Sequence, residues 1–172
     1  MTQPTNHPTN LTLYSTVLKL TPTSEGLLTA SQGRLVQGAF LDLIRSIDPG
    51  LSAALHAENR RRPYTLSTLL GTDRAKKGQV KLRAGQELSL RFTLLGSDLF
   101  TTFSRFLLSP PSPAGRGAGG EGLPTLRLGD LTLAITEMLT TPGSHPWASY
   151  TRLSDLCQKW QNGRLTESGH KI

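Results

Sequence analysis

The sequence holds a single cysteine, Cys157, in 172 residues. No internal disulfide can form, and with no second thiol nearby neither a zinc ribbon nor a zinc finger can be assembled. Long apolar runs are missing too, which excludes a membrane-spanning helix as an expectation. The first ten residues carry no basic n-region and no apolar core, so no secretory signal is visible and a soluble cytoplasmic protein is expected. Aromatic residues make up only 6%, and 12 acidic residues face 19 Lys and Arg, for a formal net charge of +7. Charge as a whole reaches 18%, too little for a disordered polyelectrolyte. The length that remains suits one packed domain, or one domain and the start of a second.

The excess positive charge is concentrated. Residues 1–55 hold three basic and three acidic groups, residues 56–91 nine basic and three acidic, and residues 92–172 seven and six. A patch of this kind favours a polyanion, nucleic acid first and acidic lipid second, because neutralising phosphates releases condensed counterions. A solvated Lys/Arg-rich loop would have the same composition.

Local patterns predict the elements. Leu11 to Leu20 mixes Leu, Tyr, Thr and Val without Gly or Pro and stops at Thr21-Pro22, as a mostly buried strand does. From Arg34, the apolar positions Leu35, Val36, Ala39, Phe40, Leu43, Ile44 and Ile47 form the stripe of a core-facing helix. Asp48 and Pro49 then supply an N-cap and an N1 residue for a further turn, with Leu51, Ala54 and Leu55 inward and His56 at its C-terminal end. Tyr64 to Leu70 reads as a second strand. The basic, glycine-punctuated run from Thr72 to Gly85 reads as a long loop with a short strand at Gln79 to Leu82.

Between Gln86 and Leu95, Leu88, Leu90, Phe92 and Leu94 alternate with polar residues, the mark of a strand with one wet face. Ser97-Asp98 opens a helix with Leu99, Phe100, Phe103, Phe106 and Leu107 on one side. Leu126 to Met138 is a strand pair around Gly129-Asp130, or one bulged strand. Leu153, Leu156, Cys157 and Trp160 form a short amphipathic helical face.

Residues 109–124 are Pro- and Gly-rich and read as a flexible insertion; no Lys-Ser or Lys-Thr follows the glycines, so a phosphate-binding P-loop is not expected. The domain plan is a polar tail at 1–10, one domain at 11–141, and a connector with a short helix at 142–172. The order β α β β α β predicts an α+β, ferredoxin-like fold, an antiparallel sheet with helices on one face. The other face stays free, and polar or basic groups on it, such as Arg91, suit RNA.

Several of these residues carry a resemblance. An ordered set runs from Gly33 to Gly71: a helix, the Asp48-Pro49 break, the pair Leu55-His56, the basic run Arg60-Arg61-Arg62, and the strand Tyr64-Thr65-Leu66-Ser67. The set resembles the N-terminal domain of the CRISPR-associated endoribonucleases of the RAMP superfamily, which cut precursor crRNA within its repeats. Trp147 to Leu156 (WASYTRLSDL) is similar to that family's passage from a first ferredoxin-like domain to a second. The resemblance implies that the first domain supplies catalytic side chains and the second a glycine-rich RNA-binding loop. Only the first is expected here, in a truncated or split protein, with the glycines at 115–122 lying inside it.

What the resemblance implies chemically is metal-independent cleavage without a cofactor, in which the ribose 2′-hydroxyl attacks phosphorus and leaves a 2′,3′-cyclic phosphate and a 5′-hydroxyl. His56 matches the family's catalytic histidine, and imidazole suits either proton-transfer role. Arg62 stands where some members carry a catalytic lysine; it can hold phosphorane charge but does not give up a proton. Leu41 occupies the position where some members place a catalytic tyrosine, which leaves His56 to act with arginine alone. Arg60 and Arg61 are adjacent phosphate clamps or solvated loop charges, and Lys76, Lys77, Lys81 and Arg83 are candidates for phosphate tracking by charge density alone.

Trp147, Tyr150 and Trp160 can stack on bases, pack as core, or face a second domain. His7, His145 and His170 show no ligand spacing. The expected partners are repeat RNA or precursor crRNA, with an effector complex or a separate C-terminal RAMP domain, and no membrane. Two alternatives stand beside the nuclease: a non-catalytic RNA-binding or scaffolding subunit of the same superfamily, and a generic basic ferredoxin-like protein binding another polyanion.

Overall fold

The structure, a computed structural model, describes residues 11–57, 61–108 and 124–167, with residues 106–108 and 162–167 described by their backbone alone. The polar tail, Arg60, nearly all of the Pro/Gly-rich insertion, and the side chains of Phe106 and Leu107 lie outside the described residues.

The central strand is β1 (Thr12–Pro22). Along one edge it pairs antiparallel with the strand at Leu88–Leu95, from Leu13 opposite Leu95 to Leu20 opposite Leu88. Numbered in chain order, the remaining strands are β2 (Gly26–Thr29), β3 (Tyr64–Leu66), β4 (Gln79–Leu82), β5 (the Leu88–Leu95 strand), β6 (Thr125–Leu128), β7 (Leu131–Leu139) and β8 (Ser149–Arg152). The main sheet runs β3-β5-β1-β7-β6, with β8 also on β1, and every pairing is antiparallel. Helices α1 (Gly33–Arg45) and α3 (Ser97–Leu108) make the two crossovers and pack against each other and the sheet. Strand order β3-β5-β1-β7 with these crossovers is the expected ferredoxin-like arrangement.

Periodicity explains the layers. In β5, Leu88, Leu90, Phe92 and Leu94 are buried while their neighbours are half-exposed. In α1, Val36, Ala39, Phe40, Leu43 and Ile44 form the buried stripe. Phe40, Phe92 and Phe103 are fully buried and mutually tilted, with centroids 5.0 to 6.1 Å apart, and they tie α1, β5 and α3 into one core. Gly129 takes a φ of +61° in the two-residue turn between β6 and β7, so the Gly129-Asp130 segment is a hairpin and not a bulged strand.

The structure departs from the sequence reading in four places. The strand expected over Tyr64 to Leu70 ends at Leu66: Ser67 Oγ, not a carbonyl, accepts from the Arg91 N–H, and the Leu69 N–H is taken by the buried Gln32 side chain (2.9 Å each). Leu70 then rejoins β5 at Ser89. Second, Gln79 to Leu82 is no isolated strand in a loop but the partner of β2 in a two-stranded sheet. Third, β8 continues the line of β7 along β1, pairing with Thr12 to Ser15; the Ser15 hydroxyl donates to the Trp147 carbonyl and holds the intervening excursion against the sheet. Fourth, α4 (Leu153–Glu167), expected to be short, runs for 15 residues, and of the alternatives left open for its apolar face packing as core does not hold, since Leu156 is 38% and Trp160 62% exposed. No helix among the described residues is long and apolar enough to cross a membrane.

Candidate functional site

The site begins with a short helix, α2 (Pro49–His56). Asp48 caps it, its carboxylate accepting from the Leu51 N–H at 2.8 Å, and Pro49 enters with its φ already helical. The buried Ser52 donates to the Leu41 carbonyl at 2.9 Å, and Leu55 is buried, so α2 is fastened to α1 along one side. Ala54, expected inward, is exposed, because Ser52 and Leu55 take the inner face. His56 is the last helical residue and points to solvent.

Arg61 and Arg62 are exposed on the segment that leads into β3, which the Pro63 carbonyl fixes by accepting from the Leu95 N–H at 2.8 Å. Arg62 stands at a corner. It borders a depression formed with Ala54, Leu55, Arg61 and Pro63 at the last turn of α2. It also borders the outer face of the sheet, where Leu13, Thr93 and Leu95 lie, and a hollow against the start of α1. Through the first of these Arg62 adjoins the turn that ends in His56; His56 itself lines none of them.

Tyr64 is buried. Its ring packs on Phe40 with centroids 4.7 Å apart, and its hydroxyl accepts from Gln37 Nε2 at 3.3 Å. The Tyr64–Ser67 run is thereby explained: tyrosine seats β3 on the core and Ser67 ties it to β5. Leu41 is 4% exposed, buried beneath α2, so nothing at that position reaches solvent to carry a proton. Arg91 is half-buried on the outer face, opposite Val17; that face, expected to stay free, is covered there, since Val17 is fully buried.

The remaining cations sit on or beside the two-stranded sheet of β2 and β4, whose strands are distant in the chain. Its tip is the tight turn that leads into β4, in which Lys76 and Gln79 exchange backbone hydrogen bonds of 2.8 and 3.0 Å, with Lys77 at φ +49° and Gly78 at φ +74°. Lys81 is paired with Glu25 at 3.1 Å and Arg83 with Asp73 at 2.9 Å, so two of the four expected phosphate contacts are already engaged. Lys76 and Lys77 have no carboxylate partner among the described residues. No three metal-ligating side chains come together among the described residues.

A family model described as the CRISPR Cas6 N-terminal domain matches residues 12–158. The chain belongs to that family. Among solved structures it is similar to the Cas6 of Thermus thermophilus called TTHB231, as a product complex, with 30% identity and a TM-score of 0.57 over 84% of this chain and 45% of that one. A Cas6-related protein of Pyrococcus furiosus matches with 12% identity and a TM-score of 0.53 over 73% of this chain and 46% of that one. A structure described as a RAMP protein binding different RNA substrates follows at 14% and 0.51, over 76% and 50%. The two latter likenesses concern the fold. The chain spans about half the length of these solved relatives. No curated protein sequence matches it.

Within this Cas6 N-terminal domain, sequence reasoning used Arg34 only as the start of a helix and Tyr64 only as part of a strand. Arg34 and Gln37 are three residues apart on one helix, which was a visible signal. Tyr64, the partner of Gln37, lies 27 residues beyond it, which was not.

Proposed function

We propose that this chain is the catalytic N-terminal half of a metal-independent CRISPR repeat endoribonuclease that acts in the cytoplasm on precursor crRNA. The ribose 2′-hydroxyl loses its proton and attacks the adjacent phosphorus. The P–O5′ bond breaks, the leaving 5′-oxygen takes up a proton, and a 2′,3′-cyclic phosphate and a 5′-hydroxyl result. His56 acts as proton acceptor or donor, and Arg62 holds the charge that builds on the phosphorane. Arg60, Arg61, Arg91, Lys76 and Lys77 contact the RNA backbone; Lys81 and Arg83 join them by exchanging Glu25 and Asp73 for phosphate. On this reading residues 11–141 make the RAMP domain, and the 142–172 segment adds β8 to its sheet before leading on to a second such domain. The exposed Tyr150, Leu156 and Trp160 offer that domain, or an effector complex, an apolar face.

The observation that carries this reading is a histidine at the exposed end of a capped helix whose last turn adjoins Arg61 and Arg62, which have no ion-pair partner among the described residues, in a chain of the Cas6 N-terminal family. The test is incubation with a panel of repeat hairpin RNAs in EDTA. Cleavage giving cyclic phosphate ends is expected, with His56→Ala lowering the rate by about 100-fold or more. Cleavage unchanged in His56→Ala removes this histidine from the reaction. One observation favours a second reading, a non-catalytic RNA-holding subunit: the buried Leu41 leaves the site without a tyrosine. Undiminished RNA affinity without cleavage of any repeat identifies that case.

A further inference from the structure

The hollow between the start of α1 and β3 shares only Arg62 with the reaction above. Ser31, Arg34 and Gln37 form one wall and Arg62, Tyr64 and Thr65 the other, around a volume of about 410 Å³. Its polar groups are almost all donors. Arg34 and Arg62 are exposed and make neither an ion pair nor a hydrogen bond among the described residues. The Tyr64 hydroxyl accepts from Gln37, which leaves its own proton to be donated. Ser31 and Thr65 add hydroxyls. No carboxylate lines the hollow, and the first turn of α1 contains none. Gln32, the residue before α1, is buried and turned to the Leu69 N–H, so it does not compete. Two guanidiniums and a phenol with nothing to oppose them call for an oxyanion.

The place of the hollow narrows the choice. The Ala30 N–H donates to the Gly78 carbonyl at 2.8 Å, so the tip carrying Lys76 and Lys77 abuts the start of α1. At the other end Arg62 is shared with the depression at the last turn of α2. The hollow therefore joins two basic groups that are otherwise separate. We infer that it is a backbone-phosphate subsite, in which Arg34 and Arg62 clamp one RNA phosphate, with Tyr64 held by Gln37 as a third donor. It bridges the tip at Lys76 and Lys77 and the last turn of α2. The inference rests on the RNA reading above; it extends that reading to Arg34, Gln37 and Tyr64, which it leaves idle, and gives Arg62 a second role in holding the RNA.

The test uses the full chain and a short mixed-sequence single-stranded RNA with a 5′-hydroxyl, titrated over a range of salt concentrations by fluorescence anisotropy. Arg34→Gln is expected to weaken binding several-fold. Because both arginines serve one phosphate, Arg34→Gln/Arg62→Gln lowers the slope of log affinity on log salt by about 0.7, whereas two independent contacts would lower it by about 1.4. Tyr64→Phe keeps the ring on Phe40 and weakens binding without altering the slope. Arg127→Gln makes the same charge change on β6, at the opposite edge of the sheet, and leaves binding as it was.

Three results overturn the inference: Arg34→Gln indistinguishable from Arg127→Gln, a slope change near the larger value, or inorganic phosphate binding as tightly as the RNA, which would mark a small-anion site. None of these measurements depends on cleavage. If the arginine variants bind normally while His56→Ala abolishes cleavage, the subsite fails and the reaction stands; if cleavage survives His56→Ala while the arginine variants lose RNA, the reverse holds.

Discussion

The two-stranded sheet of β2 and β4 and the corner where α1, α2 and β3 meet both carry cations, most of them from the same basic stretch of sequence, yet hold them differently. On the small sheet and just past it, Lys81 and Arg83 are exposed and each has a carboxylate within 3.1 Å. Such surface pairs contribute about 0–1 kcal/mol, so a polyanion can displace the carboxylate, but it must compete. At the corner, Arg34, Arg61 and Arg62 have no ion-pair partner among the described residues, and the backbone beneath them is fastened by Tyr64 on Phe40 and by Leu95 to Pro63. Net charge does not tell the two regions apart. What separates them is the presence of local counter-charges and the packing of the support, and on the function proposed above both favour the corner as the place where RNA would be held.

The comparison is broken most directly by removing the corner's support. Phe40 is fully buried and touches Tyr64, Phe92 and Phe103. Phe40→Ala is expected to cost about 3–5 kcal/mol, the range for emptying a well-packed aromatic site, as read by urea denaturation. A loss below about 1 kcal/mol would mean that the core beneath Tyr64 collapses freely and that the corner is no firmer than the small sheet. A smaller effect follows from Asp48→Ala. It removes the bond to the Leu51 N–H and is expected to cost about 1 kcal/mol. Since His56 is the last residue of the helix so capped, cleavage should fall with it, by less than in His56→Ala. Denaturation together with rates well below the melting temperature separates the two effects; an unchanged rate would show that the cap does not position the histidine.

The parts of this architecture legible in the sequence are those set by local signals. The alternation of Leu88, Leu90, Phe92 and Leu94, the stripe of α1, and the Asp48-Pro49 start of α2 each concern neighbours a few residues apart. The strands β2 and β8 escaped because their existence depends on distant partners. Gly26 to Thr29 is a strand because Gln79 to Leu82 lies beside it, and Ser149 to Arg152 because β1 has an unpaired edge at Thr12 to Ser15. Periodicity also showed that one face of α4 is apolar, but not what covers it, and Trp160 is exposed. In the candidate site, position along the chain was enough to put His56 at the end of α2 and Arg62 just ahead of β3. The pairing of Lys81 with Glu25 and of Tyr64 with Gln37 needed the fold.

The smallest expected effect lies at the tip of the small sheet, and it opposes stability to binding. Lys77 holds φ at +49°, a left-handed conformation that costs an ordinary L-residue about 1–2 kcal/mol and that asparagine tolerates better through its short polar side chain. With Gly78 following, Lys77→Asn creates an Asn-Gly pair, the sequence best suited to a two-residue hairpin turn of this geometry. Part of the left-handed cost remains for asparagine, so the expected gain is below about 1 kcal/mol, read as a rise in the urea midpoint at unchanged slope. RNA affinity should fall in the same variant, because one of the two tip cations without a carboxylate partner is gone. A variant that is both more stable and weaker at binding RNA makes Lys77 a residue held in an unfavourable conformation for its charge. If stability falls instead, the lysine stem supports the turn, and the small sheet is better anchored than the contrast with the corner allows.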